Sequence, residues 1–198
     1  MDPLIDSSLR ITIPGWVDRL VAEFVGPLET DADRMALAIA LSLTNVEQGG
    51  GPFAALVFVG SELVGAGVNR VLDSGFSIAH AEIVALMRAQ RALRERAPAR
   101  SPLVGPYSLV TTTEPCCQCF GALIWSGIEH LACGATRDDA ESAGFDEGPK
   151  PDGWVSELQS RGMSVAQLVL RSQAAAVIAD YVARGGIIYG RNRFGVPR

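Results

Sequence analysis

Three cysteines crowd into Pro115-Cys116-Cys117-Gln118-Cys119, just behind the run Tyr107-Ser108-Leu109-Val110-Thr111-Thr112. The run reads as a strand. Pro115 opens a helix reaching about residue 126, because its fixed φ and missing N–H suit a first helical turn. A second junction of the same kind lies upstream: Ala79-His80-Ala81-Glu82 leads into a helix over 80–95 with an apolar stripe of Ile83, Val84, Leu86, Met87 and Leu93. Working outward, 53–59 is almost wholly apolar, as a strand covered on both faces should be. Gly60-Ser61-Glu62 turns the chain, and 63–69 returns as a second strand. Before them a helix over 34–46, capped by Thr30 and the acids that follow it, stops at Gly49-Gly50-Gly51-Pro52. After the cysteine helix come a strand over 130–135, a short helix capped by Thr136, a Gly/Pro-rich loop over 144–153, a helix over 154–161, a strand over 164–170 and a closing helix over 172–184. The stretch 94–106 reads as an exposed loop, and 1–30, broken by Pro3, Pro14 and Pro27, as an irregular strap.

This order predicts an α/β protein, a three-layer α/β/α sandwich around a mixed five-stranded sheet. The first two strands are antiparallel through their tight turn, and the later ones parallel through crossover helices. The expected organisation is an N-terminal extension, 1–33, packed on one domain, 34–184, with a basic, aromatic tail over 185–198. The chain has 198 residues, 48% apolar and 20% charged, with a formal net charge of −5. A core of this size buries ~70% of the unfolded chain's surface, so no covalent staples are required. Disorder is excluded by composition, and no run approaches the ~18 apolar residues of a membrane span. The start, Met1-Asp2-Pro3-Leu4, has neither the basic nor the apolar region of a signal peptide, and the net acidity argues against a nucleic-acid partner. Clustered cysteines cannot staple distant loops, so a reducing cytoplasm is expected. Cys133 reads as a small buried residue, and Lys150, the only lysine, as a compositional bias toward arginine.

The chemistry is carried by His80, Glu82, Cys116 and Cys119. Both junctions open helices, whose first N–H groups are unpaired and whose N-terminal ends are partly positive, and this favours thiolate over thiol. One imidazole and two thiolates make three protein ligands for Zn2+, with the fourth position left to water, as in catalytic zinc sites. Zinc brings such a water's pKa to ~7, and Glu82, two residues from His80, reaches it as a proton shuttle without being a ligand. Taken singly, His80 is an ordinary helix-start histidine, Glu82 a solvated first-turn acid, and Cys116 with Cys119 half of a structural zinc knuckle. A structural site has no use for a proton shuttle, so the inference rests on the four together. Cys117 and Gln118 read as packing and pocket wall, and Glu114 as a helix-start charge.

His-x-Glu followed by Pro-Cys-x-x-Cys is the signature of zinc-dependent base deaminases. Over roughly 34–190 the chain resembles the cytidine deaminase superfamily. Several stretches resemble its bacterial guanine deaminase branch: Gly51-Pro52-Phe53-Ala54-Ala55, Gly67-Val68-Asn69-Arg70-Val71, Ala79-His80-Ala81-Glu82-Ile83, the run Thr113-Glu114-Pro115-Cys116 through Cys119-Phe120-Gly121-Ala122, Ile124-Trp125-Ser126-Gly127 and, most branch-specific, Ala143-Gly144-Phe145-Asp146-Glu147-Gly148. Gln118 stands where the family usually has Met, and Ala54 where it often has Gly. The resemblance implies hydrolytic deamination of a free nucleobase, guanine to xanthine and ammonia, with ammeline as a second substrate. It implies that Asn69 hydrogen-bonds a ring carbonyl or ring nitrogen, that Phe53 and Trp125 flank the flat base, that the Ala81 N–H meets a substrate carbonyl, and that Glu147 is a catalytic acid near the substrate amine. It also implies a homodimer. Guanine presents adjacent donors, its N1–H and 2-amino group, to a single carboxylate, and hydrogen bonds to a charged partner are worth ~1.5–3 kcal/mol.

The same zinc chemistry serves cytosine, cytidine, guanosine and tRNA adenosine. The last would need a basic surface for phosphates, and the basic run here is confined to the tail. That tail, with Tyr189 and Phe194, is expected to cover an active site, its own or a partner subunit's.

Overall fold

The computed structural model describes residues 10–97 and 106–189. In chain order it contains α1 (Gly15–Glu23), α2 (Asp31–Glu47), β1 (Ala54–Val59), β2 (Glu62–Val68), α3 (Val71–Ser74), α4 (Ala81–Arg96), β3 (Tyr107–Thr113), α5 (Cys117–Trp125), β4 (Ile128–Ala135), α6 (Arg137–Ser142), α7 (Trp154–Ser160), β5 (Ser164–Ala166) and α8 (Arg171–Ala183). Ala54, Leu56 and Phe58 of β1 face one core cluster and Ala55 and Val57 another, so the strand has no polar face because both sides are covered. The sheet runs β2-β1-β3-β4-β5. The β2–α4–β3 crossover passes over β1, leaving β1 antiparallel to both neighbours while β3, β4 and β5 are mutually parallel. The mixed five-stranded sheet and the three layers are as the residue order predicted. Helices α4, α5 and α7 cover one face, and α1 and α2 the other, with α8 packed against α2 and β4.

Small side chains set how closely one layer approaches the sheet. A Cβ on Gly65 would lie 2.4 Å from the Ala85 carbonyl oxygen, and one on Gly67 2.4 Å from that of Ala81. Helix α4 meets these glycines with Ala81, Ala85 and Ala89, all buried. The close contact brings the start of α4, and with it Glu82, beside the end of β2, where Asn69 follows. It also corrects the predicted stripe: Met87 is 52% exposed, because glycine-to-alanine contact, not bulky apolar packing, holds this helix down.

Thr30 and Thr136 form capping boxes with Asp33 and Asp139, so both predicted helix starts are present. Other expectations are corrected. The stretch 1–30 is not irregular throughout, since Pro14 precedes α1, where a proline costs no hydrogen bond. Val17 of α1 is buried, and Arg88 donates to both Asp18 and the Ala66 carbonyl, tying α1 to the β2 edge of the sheet. Helix α4 continues to Arg96, into the expected loop, of which 98–105 lie outside the described residues. Strand β5 is only three residues long. The residues expected to continue it enter a tight turn with Leu168 at φ 63 and Leu170 at φ 49, a left-handed conformation that leucine rarely adopts. The tail is described through Tyr189, so Phe194 lies outside the described residues.

Candidate active site

His80 is the N-cap of α4 and Cys116 the N-cap of α5. Neither side chain caps its own helix. They face one another instead: Cys116 Sγ is 3.4 Å and Cys119 Sγ 3.6 Å from His80 Nδ1, and all three ligand atoms lie within 4.8 Å of each other. One imidazole nitrogen and two sulfurs within this span suit tetrahedral zinc with one position open. The thiols share a proton: a hydrogen bond from Cys119 draws Cys116 down to about 4, and the same bond pushes Cys119 well above the ordinary thiol range.

Two carboxylates face this cluster. Glu82, 7% exposed, accepts a hydrogen bond from Thr111 Oγ1 at 3.2 Å, and burial raises its pKa. Glu147, 6% exposed, arrives on the loop after α6. Burial pushes its pKa up to about 8, and its Oε2 has no hydrogen-bond partner among the described residues. Its carbonyl accepts the Cys117 N–H at 2.9 Å. The next residue, Gly148, has φ +66, and a Cβ there would lie 2.4 Å from Cys117 Sγ, so the loop meets the cysteine turn only through glycine.

A small cleft opens between these groups. Asn69 and Phe53 form its opposite wall. Asn69 accepts the Val71 N–H at 3.2 Å and donates to Tyr189 Oη at 2.5 Å. Phe53 meets Phe145 edge-on at 4.9 Å, and Tyr189 meets Phe145 at 5.6 Å. Behind this wall the buried amide of Asn45 donates to the carbonyls of Gly51 and Asn69, at 2.7 and 3.1 Å, and so holds both segments. Ala81 is the first residue of α4, where N–H groups have no intrahelical partner. The structure thus brings together His80, Glu82, Cys116, Cys119, Asn69, Phe53 and Glu147, with Ala81 beside them.

Trp125 does not join them. It closes α5, eight residues beyond Cys117 and so roughly 12 Å along the axis, is 75% exposed, and does not line the cleft of this chain. Gln118 is not pocket wall either; it donates to the Ile78 carbonyl and ties the loop before His80 to the cysteine turn. Glu114 is not a solvated helix-start charge but a buried partner of Lys150, 3.4 Å from its ammonium. Lys150 therefore has a structural place that composition concealed. Phe145 and Asn45 were missed altogether. Phe145 stood inside a motif read only for Glu147, and Asn45 inside an amphipathic helix, where one polar residue on the apolar face was the available signal. Tyr189, noted only as part of the tail, sits in its own chain's cleft.

Comparison with known proteins finds guanine deaminases and also tRNA-specific adenosine deaminases, among them that of Buchnera aphidicola subsp. Schizaphis graminum, 27% identical over 156 residues, 76% of this chain and 93% of that protein. Residues 28–135 match the cytidine and deoxycytidylate deaminase zinc-binding region. A solved structure of guanine deaminase from Nitrosomonas europaea has 38% identity and a TM-score of 0.80, covering 90% of this chain and 98% of that one. The structure of NE0047 in complex with 2,6-diaminopurine has 39% identity and a TM-score of 0.82, covering 93% and 98%. Guanine deaminase of Bacillus subtilis is 33% identical over 116 residues, 56% of this chain and 67% of that protein.

Proposed function

The chain belongs to the cytidine and deoxycytidylate deaminase zinc-binding family, and on that premise we propose that its cleft converts guanine and water to xanthine and ammonia. It is a zinc-dependent hydrolytic deaminase, and several of the proteins it is similar to are guanine deaminases or hold purine ligands. The observation that carries the substrate is Glu147, a buried carboxyl that shares with the His80–Cys116–Cys119 cluster a cleft lined by Phe53, Phe145 and Tyr189.

When bound, zinc supplies a Lewis acid that lowers the pKa of a water at its open position to ~7. Glu82, held by Thr111, takes a proton from the attacking water and delivers it to the ring nitrogen beside C2. Glu147 faces the 2-amino group; it takes up the proton of the C2 hydroxyl as the carbonyl forms and delivers it to the departing nitrogen as the C–N bond breaks. Asn69 and the Ala81 N–H orient the ring, and Phe53 lies against it. Ammeline, with an amino group on a similar ring, is read as a second substrate. The segment carrying Tyr189 is read as a cover over the cleft, supported by its bond to Asn69.

The reading extends to a homodimer in the cytoplasm. Exposed Trp125, Ile78 and Met87 support a second copy on that face, and four free cysteines support a reducing compartment. No helix among the described residues is long and apolar enough to cross a membrane. Ammonia release from guanine, ammeline, cytosine, cytidine and adenine tests the substrate. Guanine is expected to be fastest and cytosine weak or inert, and brisk release from cytosine or cytidine with none from guanine overturns the reading.

A further inference from the structure

We propose that Lys150 is a positioning residue that holds the loop carrying Glu147 in register with the metal-binding turn, an inference that rests on the reading of Glu147 as the acid at the substrate amine. The loop touches the turn on both sides of Cys116. On one side the Cys117 N–H donates to the Glu147 carbonyl at 2.9 Å, and on the other the Lys150 ammonium donates to the Pro115 carbonyl, also at 2.9 Å. The two attachments bracket the ligand Cys116 on the turn, and on the loop they enclose only Gly148 and Pro149. With both made, neither the acid nor the sulfur can shift along the chain without breaking one of them.

The rest of the ammonium's surroundings fit this role. Its side chain is 1% exposed, it pairs with Glu114 Oε2 at 3.4 Å, and it lies 4.3 Å above the Trp154 ring. The other Glu114 oxygen accepts from Gln167 Nε2 at 3.2 Å, so the carboxylate is met on both sides. Burying an ammonium carries a desolvation cost that an apolar side chain of similar length would not incur. What the ammonium does here that methionine would not is bond a carbonyl and neutralise a carboxylate directly behind the turn. Among the described residues the cleft is lined by the acids Glu82, Glu114, Asp146 and Glu147 and by no lysine or arginine, and Lys150 stands behind its wall, while Arg137 meets the same loop from outside at the Gly148 carbonyl.

Removing Lys150 alone would strand the Glu114 charge, so the test uses the double variant Glu114→Gln/Lys150→Met, its fold checked by a cooperative melt. Groups that orient a metal site from behind its ligands typically contribute about 10–100-fold in metal affinity or activity. The double variant is therefore expected to lose zinc to a chelator about tenfold faster, and kcat for guanine is expected to fall about tenfold with KM little changed. Glu114→Gln alone, which keeps the bond to Pro115, is expected to release zinc as the parent does. A folded double variant with parental zinc release and kcat overturns the proposal, as does a Glu114→Gln variant that reproduces the whole effect. A measurement on the unaltered protein stands beside these. Lys150 is the only lysine, so [15N]lysine labelling gives one side-chain ammonium signal. That signal is expected to shift when a chelator removes zinc, and indifference to zinc overturns the proposal. Zinc release and the ammonium signal need no substrate. A wild-type protein inactive on guanine would therefore sink the functional reading while these two still decide the role of Lys150.

Discussion

The two walls of the cleft are built in different ways. The metal wall comes from two helix N-termini, and each contributes its groups from a short local stretch: His80 with Glu82, and Cys116 with Cys119. The opposite side is assembled from afar. Asn69 follows an edge strand, Glu147 rides on a loop after α6, and Tyr189 arrives from beyond α8. The metal wall needs chemistry at fixed spacing, which a helical turn supplies with little help from the rest of the chain. The binding side needs a shape, and a shape is held by residues such as Asn45 and Lys150 that need not touch the substrate.

If this contrast is right, substitutions in the metal wall remove the reaction, and those opposite degrade it. The largest effect is expected from Cys116→Ala or Cys119→Ala, which empty the zinc site and abolish turnover, while Cys117→Ala keeps both. Elemental analysis and ammonia release on the same samples check this, and loss of zinc from Cys117→Ala would shift the ligand turn by one residue. Glu82→Gln comes next. It keeps zinc but costs about 10²–10⁴-fold in kcat, the usual worth of a positioned acid–base group.

Glu147→Gln tests the boundary between the walls. It is expected to lower guanine turnover by about 10²-fold, with zinc retained. It should also remove a pH dependence from the metal-free protein. The folded pKa of about 8 lies above the ordinary carboxylate value of 4.5. The stabilisation from its held proton is therefore complete below 4.5 and is lost as pH rises through 8. The melting temperature of the metal-free parent should fall across that window, and that of Glu147→Gln should fall less. The smallest effect belongs to Tyr189→Phe, which removes one hydrogen bond to Asn69. A bond worth ~1 kcal/mol predicts a change of about fivefold in KM for guanine, with zinc untouched. A Tyr189→Phe variant as impaired as Glu82→Gln would erase the contrast between the walls.

The same division separates what could be read from the residues alone. The zinc ligands, Glu82 and both threonine caps were legible because each signal spans one helical turn, and the order of strands and helices left little choice of architecture. The resemblance, carried by Ala143 to Gly148, pointed to Glu147. Trp125 was misjudged because an aromatic residue near a motif looks the same whether its helix turns it inward or out. The strand over 164–170 was overextended because the apolar run Leu168-Val169-Leu170 does not reveal that two leucines sit at positive φ. Helix α1 was overlooked because its prolines flank it and do not interrupt it.

The chain by itself determined which groups are candidates for the chemistry, since ligand type and i, i+2 and i, i+3 spacing are local facts that helix geometry turns directly into distances. Only the tertiary structure decided what holds them in place. The glycines of β2 admit α4, Asn45 bonds two carbonyls that lie 18 residues apart in the chain, and Lys150 reaches back to the carbonyl before Cys116. Contacts such as these close long loops, and their partners share no spacing or pattern along the chain. A buried lysine and a surface lysine are the same letter until the fold sets one of them beside a carbonyl it alone can reach.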